Sequence, residues 1–204
     1  MNHILISMTM LLSVMFVSSN TNQAINAHNL PGQKQESAVG KPSKSYTSTI
    51  LVDQTPSASF NAIKNFRGWW SEEIQGNTDQ LNQTFFYHYK NVHLSKIKLI
   101  EIVPDKKLVY QVVDNEFNFT KDKTEWIGTK LIFKITKLES KTKIVFIHEG
   151  LVPAYECYKV CNDAWTSYIQ GSLKKYIETG KGRPNGRSGG LNAELVEKWG
   201  LPNN

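Results

Sequence analysis

The chain is poor in the features that most readily betray a function. No internal repeat is visible along its 204 residues, which excludes a repeat array. The glycine-rich basic run Gly180–Gly190 (GKGRPNGRSGG) lacks the Lys-Ser/Thr pair of a phosphate-binding loop and reads as a solvated connection. Cysteine occurs twice, at Cys157 and Cys161, and the spacing is not the Cys-x2-Cys of common zinc sites. Charge of one sign is not in large excess. The 24 Lys+Arg against 18 Asp+Glu leave a net +6, which favours anionic partners without marking a nucleic-acid binder. The one long apolar run, Ile4–Val17, falls short of the roughly 20 residues that a membrane span needs.

What is present fits one domain. An apolar fraction of 40% excludes wholesale disorder, and the length holds a domain of ordinary size with ends to spare. The run Ile4–Val17 (ILISMTMLLSVMFV) carries no charge and is followed by a polar stretch with small residues at Ala24 and Ala27. It reads as the core of a signal peptide over residues 1–24, although Lys and Arg are missing ahead of it. Export to a periplasmic or extracellular space is the expectation, with no stable membrane span in the mature chain. An uncleaved anchor and a cytoplasmic chain are the alternatives. No cysteine stands close after the run, so a lipid anchor has no attachment point there. Residues 25–44 are a polar linker, 45–182 the folded domain, and 183–204 a basic Gly-rich tail with a short helix.

Within the domain, periodicity orders the elements. Lys44–Asp53 is rich in β-branched residues and reads as a strand. Thr55-Pro56 supplies an N-cap and a first-turn proline for a short helix, with Phe60, Ile63 and Phe66 on one face. Strands follow at Thr84–Tyr89, His93–Val103, Lys107–Asp114, Thr129–Leu138 and Thr142–Glu149, joined by turns short enough to make the pairing antiparallel. A helix from Tyr155 to Thr179, stopped at Gly180, carries an apolar stripe through Cys157, Tyr158, Cys161, Trp165, Tyr168, Ile169, Ser172, Leu173 and Tyr176. Leu131, Phe133, Ile135, Ile144, Phe146 and His148 form a strand face for that stripe to lie on. The result is an α+β fold, a curved antiparallel sheet gripping a long helix.

The run Trp126-Ile127-Gly128-Thr129, the segment Ile144–Gly150 (IVFIHEG), then Leu151, Pro153, Glu156-Cys157-Tyr158, Cys161, Ala164-Trp165 and Thr179-Gly180-Lys181-Gly182 resemble the START-like, or SRPBCC, superfamily. More narrowly, they resemble bacterial proteins similar to the C-terminal domain of the activator of heat-shock protein 90 ATPase. The resemblance covers about Ser45 to Pro184, and the His-Glu-Gly and Glu-Cys-Tyr segments recur in that group as a signature. It implies a helix-grip fold with a cavity between sheet and helix, which many relatives use for apolar molecules. Fold alone does not choose a reaction.

The leading expectation is therefore a binder of a small apolar or amphipathic molecule, without cofactor, metal or nucleic acid. Alternatives are a cyclase- or hydratase-type enzyme using His148 and pocket tyrosines, and a cochaperone-like interaction domain. His148 and Glu149 adjoin in a strand and point to opposite faces, with His148 inward as a general base, a ligand anchor or a core histidine. Cys157 and Cys161 on a regular helix have Cβ atoms about 5–6 Å apart, too far for a disulfide. They are expected as reduced thiols, and with His148 they fit a metal site poorly. Aromatic residues complete the candidate lining: Trp69, Trp70, Tyr110, Phe117, Phe119, Trp126, Phe133, Phe146, Tyr158, Trp165 and Tyr168 join His148 and Cys161, each able instead to serve as core. Phe117 and Phe119, in the polar stretch Asp114–Glu125, are expected as a lid. Lys96, Lys98, Lys130, Lys134 and Lys143 alternate with apolar residues and mark a solvated convex face.

Overall fold

The computed structural model describes residues 44–186 together with 197, 198 and 200. The expected signal segment, almost all of the expected linker and most of the tail lie outside the described residues. The elements are β1 (Tyr46–Val52), α1 (Pro56–Lys64), α2 (Phe66–Trp69), β2 (Gln75–Gly76), β3 (Thr84–Tyr89), β4 (His93–Val103), β5 (Lys107–Phe117), β6 (Lys130–Lys137) and β7 (Thr142–Glu149). A continuous helix then runs as α3 (Tyr158–Thr166), a π-helical segment (Ser167–Leu173) and α4 (Lys174–Thr179). The seven strands form one sheet in the order β1-β7-β6-β5-β4-β3-β2, antiparallel at every pairing. Among the described residues no helix is long and apolar enough to cross a membrane.

Two local irregularities shape the grip. In the β4–β5 pairing, register shifts leave Ile100 and Val113 as extra residues. An extra residue bends its strand and reverses the in–out alternation beyond it. Leu108, Tyr110 and Val112 face the core. Past Val113, which is exposed, it is Asn115 and Phe117 that turn inward. The bulge thus corrects the expected lid: β5 runs to Phe117, which is 1% exposed and belongs to the core, while Phe119 packs on it at a centroid distance of 4.8 Å.

The second irregularity lies in the long helix. Its start is Tyr158, with Cys157 at the N-cap, three residues later than the sequence reading, because Val152–Cys157 form turns that bring the chain round from β7. The π segment widens one turn, so that Tyr168, Ile169, Ser172 and Leu173 all face inward and Ile177 replaces Tyr176 as the next buried residue. Tyr176 sits half-buried at the rim, where its hydroxyl accepts from Asn65 Nδ2 at 2.6 Å. Beyond Gly180 the chain crosses α2: Arg183 N–H donates to Ser172 Oγ (2.7 Å), and Asn185 N–H to the Trp70 carbonyl (2.8 Å).

At the front of the domain, Thr55 Oγ1 accepts from Ala58 N–H at 3.1 Å, the N-cap legible in Thr55-Pro56. Between sheet and helix lies one continuous core dominated by rings, with Phe66, Trp69, Tyr110, Phe133 and Phe146 wholly buried.

Candidate functional site

The site begins where three chain segments meet at the helix start. The backbone N–H groups of Glu156 and Cys157, at the entry to α3, donate to the two carboxylate oxygens of Glu125 at 2.5 and 2.9 Å. Glu125 is 7% exposed, so its charge is held by the unpaired N–H groups and positive end of the helix dipole. Next to it, Trp165 Nε1–H donates to His148 Nδ1 at 2.9 Å. A ring nitrogen that accepts carries no proton, so His148 bears its proton on Nε2 and donates to Thr129 Oγ1, also at 2.9 Å. The Thr129 hydroxyl in turn donates to the Trp126 carbonyl at 2.6 Å. Gly128 and Gly150 flank this chain with φ of 84° and 95°. A Cβ on Gly150 would come within 2.9 Å of Thr129 Cγ2. The Trp-Ile-Gly-Thr, His-Glu-Gly and Glu-Cys-Tyr segments are thereby one structural junction that fixes the start of the helix on strands β6 and β7.

His148 is fully buried with both ring nitrogens bonded, and burial holds its pKa down to about 3, so it is neutral in the folded chain. It does not reach the cleft that opens beside the junction. That cleft lies between α3, the β3–β4 turn and the inward end of β5. Its free volume is about 50 Å³. Of the residues expected from the sequence, Trp70, Phe117, Phe119, Trp126, Cys161, Trp165 and Tyr168 line it. Trp69, Tyr110, Phe133, Phe146, His148 and Tyr158 do not. Trp69 Nε1–H donates to the Ile63 carbonyl (3.1 Å) and the Tyr110 hydroxyl to the Thr78 carbonyl (3.0 Å), each satisfied away from the cleft. Phe133 and Phe146 pack on each other at 4.9 Å, and Tyr158 is half-buried against the core.

The sequence reading passed over Tyr87, Tyr89, Val92, His93, Val160 and Ala164, which complete the lining. His93 was within reach of it: Lys96 and Lys98 point outward, so alternation turns His93, Ser95, Ile97 and Leu99 inward. His93 is half-buried as a residue, yet its ring is enclosed by Tyr87, Phe117 and Trp126 at centroid distances of 4.9, 4.6 and 4.8 Å. That enclosure lowers its pKa to about 3 and keeps it neutral. Its Nε2 lies 2.7 Å from Ser95 Oγ.

Other groups in the cleft are equally uncharged. Burial pushes the Cys161 thiol well above its ordinary range, and Tyr168 likewise. Cys157 and Cys161 are both free thiols. Among the described residues no cluster of His, Cys, Asp or Glu is placed to hold a metal ion. The lining offers apolar surface, ring faces and a few neutral polar atoms, which suits recognition by shape and stacking more than by charge.

No family model and no curated protein matches the chain in sequence. Solved structures do match in fold. The Aha1 dimer from Colwellia psychrerythraea is similar with a TM-score of 0.54 and 22% identity, over 67% of this chain and 97% of that one. DynU16, a protein of the dynemicin biosynthetic locus, gives a TM-score of 0.53 at 12% identity over 69% of this chain, which spans 49% of DynU16. MLL2253 from Mesorhizobium loti gives 0.51 at 12% identity, over 65% of this chain and 96% of its own. At such identities the likeness is one of architecture: the chain shares with these proteins the helix-grip fold expected from the sequence, a curved antiparallel sheet around a long C-terminal helix.

Proposed function

We propose that the chain binds a small apolar or amphipathic molecule end-on in the cleft between α3 and strands β3–β5. The observation that carries this reading is the cleft itself: about 50 Å³ of free space walled by rings, at the edge of the aromatic core. Ordinary ligand pockets run to roughly 300–1,000 Å³. A guest here therefore inserts one slender end and leaves the remainder at the rim formed by half-buried Phe119, Val160 and Ala164. The cyclase- or hydratase-type alternative needs an acid–base group at the guest. His148 has both nitrogens occupied in the junction, and His93 is the imidazole that lines the cleft.

Native mass spectrometry of the full chain, purified gently, tests the proposal. A copurified small molecule that is absent from a folded Ala164→Phe variant, whose ring fills the cleft mouth, is the expected result. A guest retained by that variant would place binding elsewhere and overturn the reading. Export through residues 1–24 is a separate proposal resting on Ile4–Val17 alone. N-terminal sequencing of the native protein checks it, and a retained Met1 on a soluble cytosolic species would refute it.

A further inference from the structure

One of the residues that line the cleft carries an unsatisfied donor. Trp126 is 3% exposed, and its indole Nε1–H meets no hydrogen-bond acceptor in good geometry among the described residues. The Cys161 sulfur lies beside it, a weak acceptor that burial keeps as the thiol. Buried N–H groups left unpaired are costly and uncommon, so each calls for a reason. The neighbouring Trp165, nearly parallel at an interplanar angle of 16°, has its own N–H bonded to His148, so the surroundings do supply acceptors where the fold needs them.

A second donor stands nearby. Ser95 Oγ receives Asn115 Nδ2–H at 3.4 Å, and the acceptor within reach of the Ser95 hydroxyl proton is His93 Nε2 at 2.7 Å. If Ser95 donates to Nε2, the neutral ring carries its proton on Nδ1, which bonds to no protein group among the described residues. The His93 and Trp126 rings meet edge to face at 4.8 Å, and both line the cleft. None of the lining residues bears a formal charge, since His93 is neutral. A carboxylate entering such a space would lose its water without gaining a counter-charge.

Resting on the cleft as the binding site, we infer that its guest presents a neutral hydrogen-bond acceptor, of the carbonyl class, at the inserted end, where it meets Trp126 Nε1–H with His93 Nδ1–H as the second donor. The guest is thus a ketone, aldehyde or ester with a slender apolar body. A plain hydrocarbon or a carboxylic acid anion does not meet these terms.

The test uses two probes of one shape, 2-hexanone and 2-methyl-1-hexene, which differ in having a carbonyl oxygen or a methylene group at the same place. Both are titrated into the full chain, labelled for NMR, with the Val92 and Val160 methyl groups and the Trp126 indole N–H as reporters. The expected result is that both probes shift the methyl groups, that the ketone binds about fivefold more tightly, and that the ketone alone moves the indole N–H resonance downfield. Trp126→Phe should abolish the ketone's advantage and keep hydrocarbon binding, which also shows that the variant is folded. Equal affinities with an unmoved indole resonance would overturn the acceptor inference and leave the cleft as a binding site. If neither probe shifts the methyl groups, the binding reading falls with it. Should Trp126→Phe not fold, the indole shift in the unaltered chain decides alone.

Discussion

Trp165 and Trp126 stand nearly parallel with ring centroids 5.9 Å apart, both almost wholly buried, yet they belong to two different kinds of interior. On the Trp165 side, every ring nitrogen of the junction is bonded: the indole to His148, His148 to Thr129, and Thr129 to the backbone. On the Trp126 side the indole N–H is unpaired and one nitrogen of His93 has no protein partner among the described residues, and a small cleft opens. The same residue types serve as structure in one place and, in the proposed function, as a site in the other. Closure of the hydrogen-bond chain separates the two roles, whereas burial and residue type do not.

The largest way to probe the contrast is pH. Both imidazoles are held to about 3 by burial, against about 6.5 in an unfolded chain. Between those values the unfolded chain binds protons that the folded chain does not. Stability is therefore full above about pH 6.5 and falls as the pH drops toward 3, by up to about 1.4 kcal/mol per pH unit for each imidazole. Urea unfolding across this range should show a shallower slope for His148→Gln than for the unaltered chain. Identical slopes would mean that His148 is not kept neutral by the fold.

Next in size is Trp165→Phe. It leaves His148 Nδ1 unpaired in the interior and opens a void, and should cost about 3 kcal/mol in denaturant unfolding. Glu125→Ala removes the buried carboxylate from two N–H groups of the helix start and should cost about 2 kcal/mol, with helical circular dichroism retained. Smallest is Trp126→Phe, which deletes an N–H that no protein group uses; the lost ring volume alone should cost about 1 kcal/mol. The contrast fails if the two Trp→Phe variants lose equal stability.

How far the sequence foretold these roles varies by residue. Alternation and turn signals place β3, β4 and β7 at their observed bounds, and Thr55-Pro56 marks the start of α1, because those cues are local. Phe117 was misread as lid because the bulge at Val113 reverses parity through pairing with β4, which no window on β5 alone contains. The π segment likewise moves Ile177 inward and Tyr176 to the rim, against a stripe drawn at regular spacing. Glu125 was invisible as a helix cap since it lies 31 residues before Glu156, and a cap supplied by a distant segment leaves no local signature. As for the cleft, alternation identifies which rings point inward. It does not show which of them border one space, and of the twelve rings expected there six do.

The most direct test of the account is a crystal of the full chain under xenon pressure, since xenon enters small apolar cavities of proteins without needing polar partners. The account expects a xenon atom between Trp70, Val92, Trp126 and Val160, at the free space seen in the structure. Xenon absent from that position, or found instead among Phe133, Phe146 and Ile169 at the packed centre of the grip, would contradict it.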